Sequence, residues 1–264
     1  MDAFYQTWRD RARSRGKKLE RLKGFFKFCV KRKMIVGNPA EHLEAPVGAG
    51  SAANKSPFTD AEMQKMCAAC RQLGRVQWKN GSHVGEWSGE DVETFILLEL
   101  YTGLRISDAS TFDMERLNGN DCFLWMHKTG KPLFTWLPDE VVHRLRAMAK
   151  THGPRPFMTR GGSTKLETVA DLWRRKLKKV WELCDKWEEV PTPHRFRHTF
   201  VRMLLQRDVS TRDVAELIGD TEQMVLKHYA RWVPERQARL TEILRNKLSQ
   251  PAKLVAISGG KAPK

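Results

Sequence analysis

The stretch CFLWMHKTGKPLFTWL, residues 122–137, decides the fold class. Cys122 to Met126 is a short apolar run, His127-Lys-Thr-Gly-Lys-Pro132 is rich in turn formers, and Leu133 to Leu137 is a second apolar and β-branched run. Two such runs around Gly and Pro read as a β-hairpin. A third strand is expected near 111–117. Elsewhere apolar residues recur mostly at helical spacing. Helices are expected at about 90–102, 139–150, 165–187, 194–207, 211–218, 221–231 and 234–248. The fold class is mainly α with a small antiparallel β-sheet (α+β).

Working outward, Thr59-Asp-Ala-Glu62 has the form of a capping box opening a helix to about Arg71,. Ser210 to Asp213 repeats that form, and Gly103 and Gly219 stand where helices end,. The polar stretch 72–89 reads as a loop. Towards the N-terminus, Leu22, Phe25, Phe26, Cys29 and Val30 share one face of a basic helix expected over residues 17–34,. A single such helix cannot bury its own apolar face, so it is expected either to pack on the rest of the chain or to belong to a helical domain,. Residues 47–57, rich in small residues, Gly and Pro, read as a linker to a main body at 58–248,. Residues 249–264 lack periodicity and read as a flexible tail,.

The 264 residues hold 47 Lys+Arg against 31 Asp+Glu, a formal net charge of +16. That excess favours a polyanionic partner, nucleic acid being the commonest. No run approaches the ~18 apolar residues of a membrane span, and the first residues hold no signal-peptide core, so a cytoplasmic location is expected. Five Cys, an odd number, suit reduced thiols rather than a disulfide framework,. Cys67 and Cys70 form a lone CxxC with no second ligand pair, read as helix-face packing. Trp125, Trp136, Trp173, Trp181 and Trp187 are taken as core or interface.

Four polar clusters sit beside apolar helices: Thr102-Gly-Leu-Arg-Ile-Ser-Asp108, His127-Lys-Thr-Gly130, His194-Arg-Phe-Arg-His-Thr-Phe200, and Leu217-Ile-Gly-Asp220 followed by His228-Tyr229. Taken singly each has an ordinary reading as a surface turn, a solvated lysine, a surface pair or an amphipathic plug. Their combination is what phosphodiester transfer without a metal requires. Two arginines match the planar geometry of phosphate oxygens and hold them as charge builds. A lysine among other cations can donate a proton to the leaving oxygen. A tyrosine phenol can form the covalent intermediate.

These motifs resemble the tyrosine recombinase (phage integrase) family over roughly residues 57–248, and weakly over 17–46. TGLRISD, HKTGK, HRFRHTF, ELIGD and HYARW stand in the family's order and spacing. The resemblance implies that Arg105 and Arg197 clamp the scissile phosphate and that Lys128 is the general acid. It implies that His194 assists proton transfer at the nucleophile and that Asp108 orients Arg105 through a carboxylate pair. Tyr229 is expected to attack phosphorus, giving a 3′-phosphotyrosyl link, with no metal, cofactor or ATP. Residues 1–46 would be a partial core-binding region, 58–248 the catalytic domain, double-stranded DNA the partner, and a homotetramer on DNA the working assembly.

Two departures stand out. Asp220 occupies a place where the family usually has His or Trp, putting a potential anion beside the phosphate unless it pairs with Arg105, Arg197 or His198. Residues 1–46 can supply one or two helices of a bundle that usually has about four. Both motivate an alternative: a catalytically impaired DNA-binding protein acting by site occupancy. A type IB topoisomerase shares the mechanism without site choice. Beyond the site, Lys27 and Lys31 of the N-terminal helix and Arg174, Arg175 and Lys178 of a basic run are candidate DNA-binding residues,.

Overall fold

Thr59, Ser88 and Ser210 cap three helix starts, and the left-handed Gly103 and Gly219 follow two helix ends. The computed structural model describes residues 1–47, 56–80, 83–158, 164–229 and 234–248. It divides into two compact units, Met1–Asn54 and Lys55–Lys264.

The first unit holds α1 (Asp2–Gln6) and α2 (Ala12–Lys31). Tyr5, Leu19, Ala40 and Leu43 form its small core. The Tyr5 hydroxyl donates to the Glu44 carbonyl at 2.8 Å. The helix begins five residues earlier than its apolar spacing suggested and stops at Lys31, before Lys33 turns to a positive φ of 57°. Phe25 of the expected apolar face is exposed, because Leu19 rather than Phe25 meets the core. Lys27 and Lys31 are exposed.

In the second unit, Thr59 and Glu62 close a capping box on α3 (Asp60–Leu73). The segment expected as a loop is instead an antiparallel hairpin, β1 (Arg75–Asn80) and β2 (His83–Ser88). Its signal is the dipeptide between the strands, Gly81-Ser82, of a type that favours two-residue hairpin loops even between polar strands,. Ser88 and Asp91 cap α4 (Gly89–Thr102) in a second reciprocal box, and Gly103 ends it with φ 61°. A side chain at Gly103 would collide with Phe200 as well as strain the backbone,.

Next come α5 (Ile106–Ser110), a 3₁₀ turn (Met114–Arg116) and a three-stranded sheet of β3 (Leu117–Asn118), β4 (Asp121–Trp125) and β5 (Pro132–Trp136) in that order. Register pairs Phe123 with Phe134 and Leu124 with Leu133. The third strand is present but short, since 3₁₀ and turn conformations take most of 111–116. Trp125 and Trp136 lie on the outer face, 54% and 58% exposed, and are not core. The period-two alternation that buries Cys122, Leu124 and Leu133 turns the aromatic residues outward,.

Six helices complete the unit: α6 (Asp139–His152), α7 (Leu166–Leu183), α8 (His194–Gln206), α9 (Thr211–Leu217), α10 (Glu222–Tyr229) and α11 (Pro234–Leu248). The expected end of α10 at 231, and the tail 249–264, lie outside the described residues. The architecture is mainly helical with small antiparallel sheets.

Its main core centres on α4, whose Phe95 stacks on Trp173 of α7 at 4.1 Å between ring centroids. A second cluster joins α8, α9 and α10 through Phe200, Val201, Val214, Ile218 and Val225, and includes Tyr229. Cys70 packs in the main core, and burial pushes its thiol up.

Among the buried charged residues, one carboxylate stands apart. Glu99 of α4 is 0% exposed, and neither carboxylate oxygen has a hydrogen-bond partner. Burial raises its pKa well above the ordinary 4.5. The folded chain therefore keeps a proton that the unfolded chain releases above that value, and stability falls as pH rises past it. Glu99→Met is expected to stabilise the protein by about 1–3 kcal/mol at pH 8. The gain should shrink towards pH 5, as read from urea midpoints at the two pH values. A constant gain would contradict an ionisation origin.

Candidate active site

Each functional side chain is presented by an element end or a tight turn. Arg105 follows Gly103 and is the N-cap residue of α5. The hairpin tip closes with the Gly130 amide donating to the Met126 carbonyl at 2.8 Å, Gly130 having φ 63°. This leaves Lys128 exposed at the tip. The His127 amide donates to Asp108 Oδ1 at 2.9 Å, tying the tip to α5. His194 opens α8, Arg197 lies one turn on, Asp220 follows the left-handed Gly219, and Tyr229 ends α10.

Both arginines converge on one oxygen. Arg197 Nη2 donates to Asp220 Oδ2 at 3.1 Å, and Arg105 Nη2 is 3.5 Å from the same atom. The Arg197 side chain is 1% exposed and also donates to the Gly103 carbonyl at 3.0 Å. Asp220 thus neutralises a charge that burial would otherwise leave uncompensated. Lys131 Nζ donates to the Asp220 carbonyl at 3.2 Å.

Asp108, expected beside Arg105, forms no ion pair with it among the described residues. From the first turn of α5 its carboxylate meets the hairpin instead, and Asp220 supplies the carboxylate that Arg105 meets.

The titrating groups are tuned by burial and cations. Burial, then the charges of Arg197, Arg105 and Lys128, lowers His194 to about 4. Neutral at pH 7, its imidazole can accept a proton. Burial raises Tyr229, while the charge of Arg197 and a hydrogen bond from it pull the phenol back down. His198 lies between them, its ring 4.6 Å from that of His194 and 5.1 Å from that of Tyr229. The sequence offers His198 only as a possible partner of Asp220, although its spacing of four from His194 on one helix also places the two rings on one face.

Arg195, two residues before Arg197, leaves the site altogether. It is 1% exposed and donates to Glu62 Oε2 at 2.7 Å. It also donates to the carbonyls of Ser56, Pro57 and Glu189.

The basic run on α7 splits as well. Arg174, Arg175 and Lys178 are exposed, Arg174 pairing with Asp171 and Lys178 with Glu182. Lys176 instead folds over Trp173, 3.9 Å from the ring centroid, and burial lowers it to about 8. Among the described residues no group of three or more His, Cys, Asp or Glu converges as metal ligands. No helix among them is long and apolar enough to cross a membrane.

Residues 59–236 match the model of the phage integrase family, about two thirds of the chain. The chain belongs to the phage integrase family. That family is one of site-specific recombinase enzymes. Tyrosine recombinase XerC of Leptospira interrogans is 25% identical over 228 residues, covering 82% of this chain and 67% of that protein. The chain therefore spans about two thirds of the relative's length. XerH site-specific recombinase, in a post-cleavage complex with a palindromic difH substrate, aligns with TM-score 0.63 at 14% identity, over 89% of this chain and 68% of that one. A λ integrase tetramer bound to a Holliday junction aligns with TM-score 0.58 at 18% identity, over 79% and 58%. At these identities the two structures speak for the fold.

Proposed function

We propose that this phage integrase family member cuts and rejoins duplex DNA at specific sites through a 3′-phosphotyrosyl intermediate on Tyr229, without metal or ATP. The observation that carries the reading is the convergence of Arg105 and Arg197 on a single anionic oxygen, with Tyr229 held against Arg197. A phosphate oxygen has the charge and hydrogen-bonding capacity of that carboxylate oxygen.

In the proposed cycle the Tyr229 phenol loses its proton with the assistance of neutral His194, relayed across His198, and its oxygen attacks phosphorus. The bond from phosphorus to the 5′-oxygen breaks, and Lys128 supplies the proton that makes the 5′-hydroxyl. A 5′-hydroxyl on the next strand reverses both steps. The ester bond is conserved as the tyrosyl link, so no energy source is consumed.

Duplex DNA is the proposed partner. The net charge of +16 and the exposed Lys27, Lys31, Arg174, Arg175 and Lys178 support it,. The λ integrase tetramer on a Holliday junction supports four protomers as the working assembly. Asp220 favours a second reading, occupancy of DNA without cleavage, since it already engages both arginines proposed to hold the phosphate.

The test is a nicked duplex selected from random sequence by binding to the full chain. A covalent protein–DNA adduct is expected, surviving EDTA and absent in Tyr229→Phe. Tight, salt-sensitive binding with no adduct, or an adduct unchanged in Tyr229→Phe, would sink the proposal.

A further inference from the structure

We infer that Asp220 is a specificity-determining residue of the strand-transfer site: an internal anion that holds Arg105 and Arg197 until a correctly bound DNA phosphate displaces it. The inference rests on the strand-transfer reading and says what that site demands of its substrate.

The geometry separates a fixed backbone from a displaceable side chain. The Asp220 amide donates to the Ala215 carbonyl at 2.9 Å, and its carbonyl accepts from Lys131 at 3.2 Å. Gly219 before it holds φ 59°, and a side chain there would collide with Met126. The backbone is thus anchored on both sides. The carboxylate is 27% exposed, with Oδ2 on the arginines and Oδ1 accepting from the Thr221 amide at 3.1 Å. Rotation about the side-chain bonds alone can take Oδ2 out to water while the main chain stays in place.

Charge makes the exchange conditional. Arg197 is buried and needs an anion beside it,. Without DNA that anion is Asp220. A phosphodiester brings the same single negative charge, so it replaces Asp220 rather than adding to an empty cation pair. An isolated backbone phosphate gains little by the swap. A duplex already held by many other contacts presents its phosphate at high local concentration and can win it. Asp220 would therefore lower cleavage of poorly held DNA more than cleavage of the true site.

Removing the charge should have two effects of opposite sign. Asp220→Asn leaves the arginine pair short of an anion, so the free protein melts at a lower temperature. The same variant should bind an added oxyanion more tightly, by about tenfold or more. A residue that only supports the fold would move stability without improving anion binding.

The experiment titrates orthovanadate and, separately, inorganic phosphate into the wild-type chain and Asp220→Asn, following heat of binding and melting temperature. Tighter anion binding by Asp220→Asn, together with more adduct on off-site nicked duplexes relative to the selected site, is the expected result. Equal or weaker anion binding by the variant overturns the inference. If Asp220→Asn does not melt cooperatively, Asp220→Ser takes its place in both arms. Anion binding needs no DNA cleavage, so the outcomes separate. Tighter binding with no adduct on any duplex would sink the strand-transfer reading alone. An adduct with unchanged anion binding would sink the role of Asp220 alone.

Discussion

Arg197→Ala is expected to slow formation of the covalent DNA adduct by about 10²–10³-fold, the usual cost of removing one preorganised donor to a developing oxyanion. Arg197 gives one guanidinium nitrogen to the Gly103 carbonyl and another to Asp220, so its fork is aimed before substrate arrives. Aim and burial together make the donor effective, because nothing need reorganise as charge builds on the phosphate. Arg197→Lys should recover little of the rate. A lysine offers a point charge that cannot bridge Gly103 and the phosphate at once. Single-turnover cleavage of the selected nicked duplex measures the loss, with duplex affinity measured alongside. Affinity should change far less than rate, since the exposed cations are untouched. A cleavage rate near wild type in both variants would remove Arg197 from the chemistry.

Arg195→Ala is expected to destabilise the protein by about 3–5 kcal/mol. The side chain reaches Glu62 on α3, the carbonyls of Ser56, Pro57 and Glu189, and the face of Phe58 at 4.1 Å. Its loss strands a carboxylate that is 7% exposed and unsatisfies three carbonyls together. The double variant Glu62→Gln/Arg195→Met should recover part of the loss, because it removes the orphaned charge. Chemical denaturation of the full chain gives both values. A loss below about 1 kcal/mol, the worth of a surface ion pair, would contradict this account. The contrast with Arg197 is instructive: two arginines two residues apart on α8, one expected to fail in chemistry and the other in folding.

That contrast also marks the reach of the sequence. Helical spacing places Arg195 and Arg197 on different faces, and their residue type marks both as cations. It does not say that one of those faces meets Glu62, 133 residues away, while the other meets Asp220, 23 residues on. Asp220 was legible as an anomaly with three possible partners, and the fold selects two of them. The β1–β2 hairpin reads as a loop from its polar residues and Gly, because the dipeptide Gly81-Ser82 is a weaker turn signal than an apolar strand pattern,. Of the two places open to Trp125 and Trp136, core or interface, strand alternation removes the core by turning both rings out.

Local chemistry in the sequence determined the elements: the caps at Thr59, Ser88 and Ser210, the stops at Gly103 and Gly219, the 122–137 hairpin, and the order of the polar motifs. These depend on hydrogen bonds and dihedral limits within a few residues. Tertiary structure alone decided which carboxylate faces which arginine, that His198 lies between His194 and Tyr229, and that Arg105 and Arg197 meet on one oxygen of Asp220. Those pairings join α3, α5, α8, α10 and the turn after α9 across long stretches of chain. They follow from how the two apolar clusters pack, and no local period carries that information.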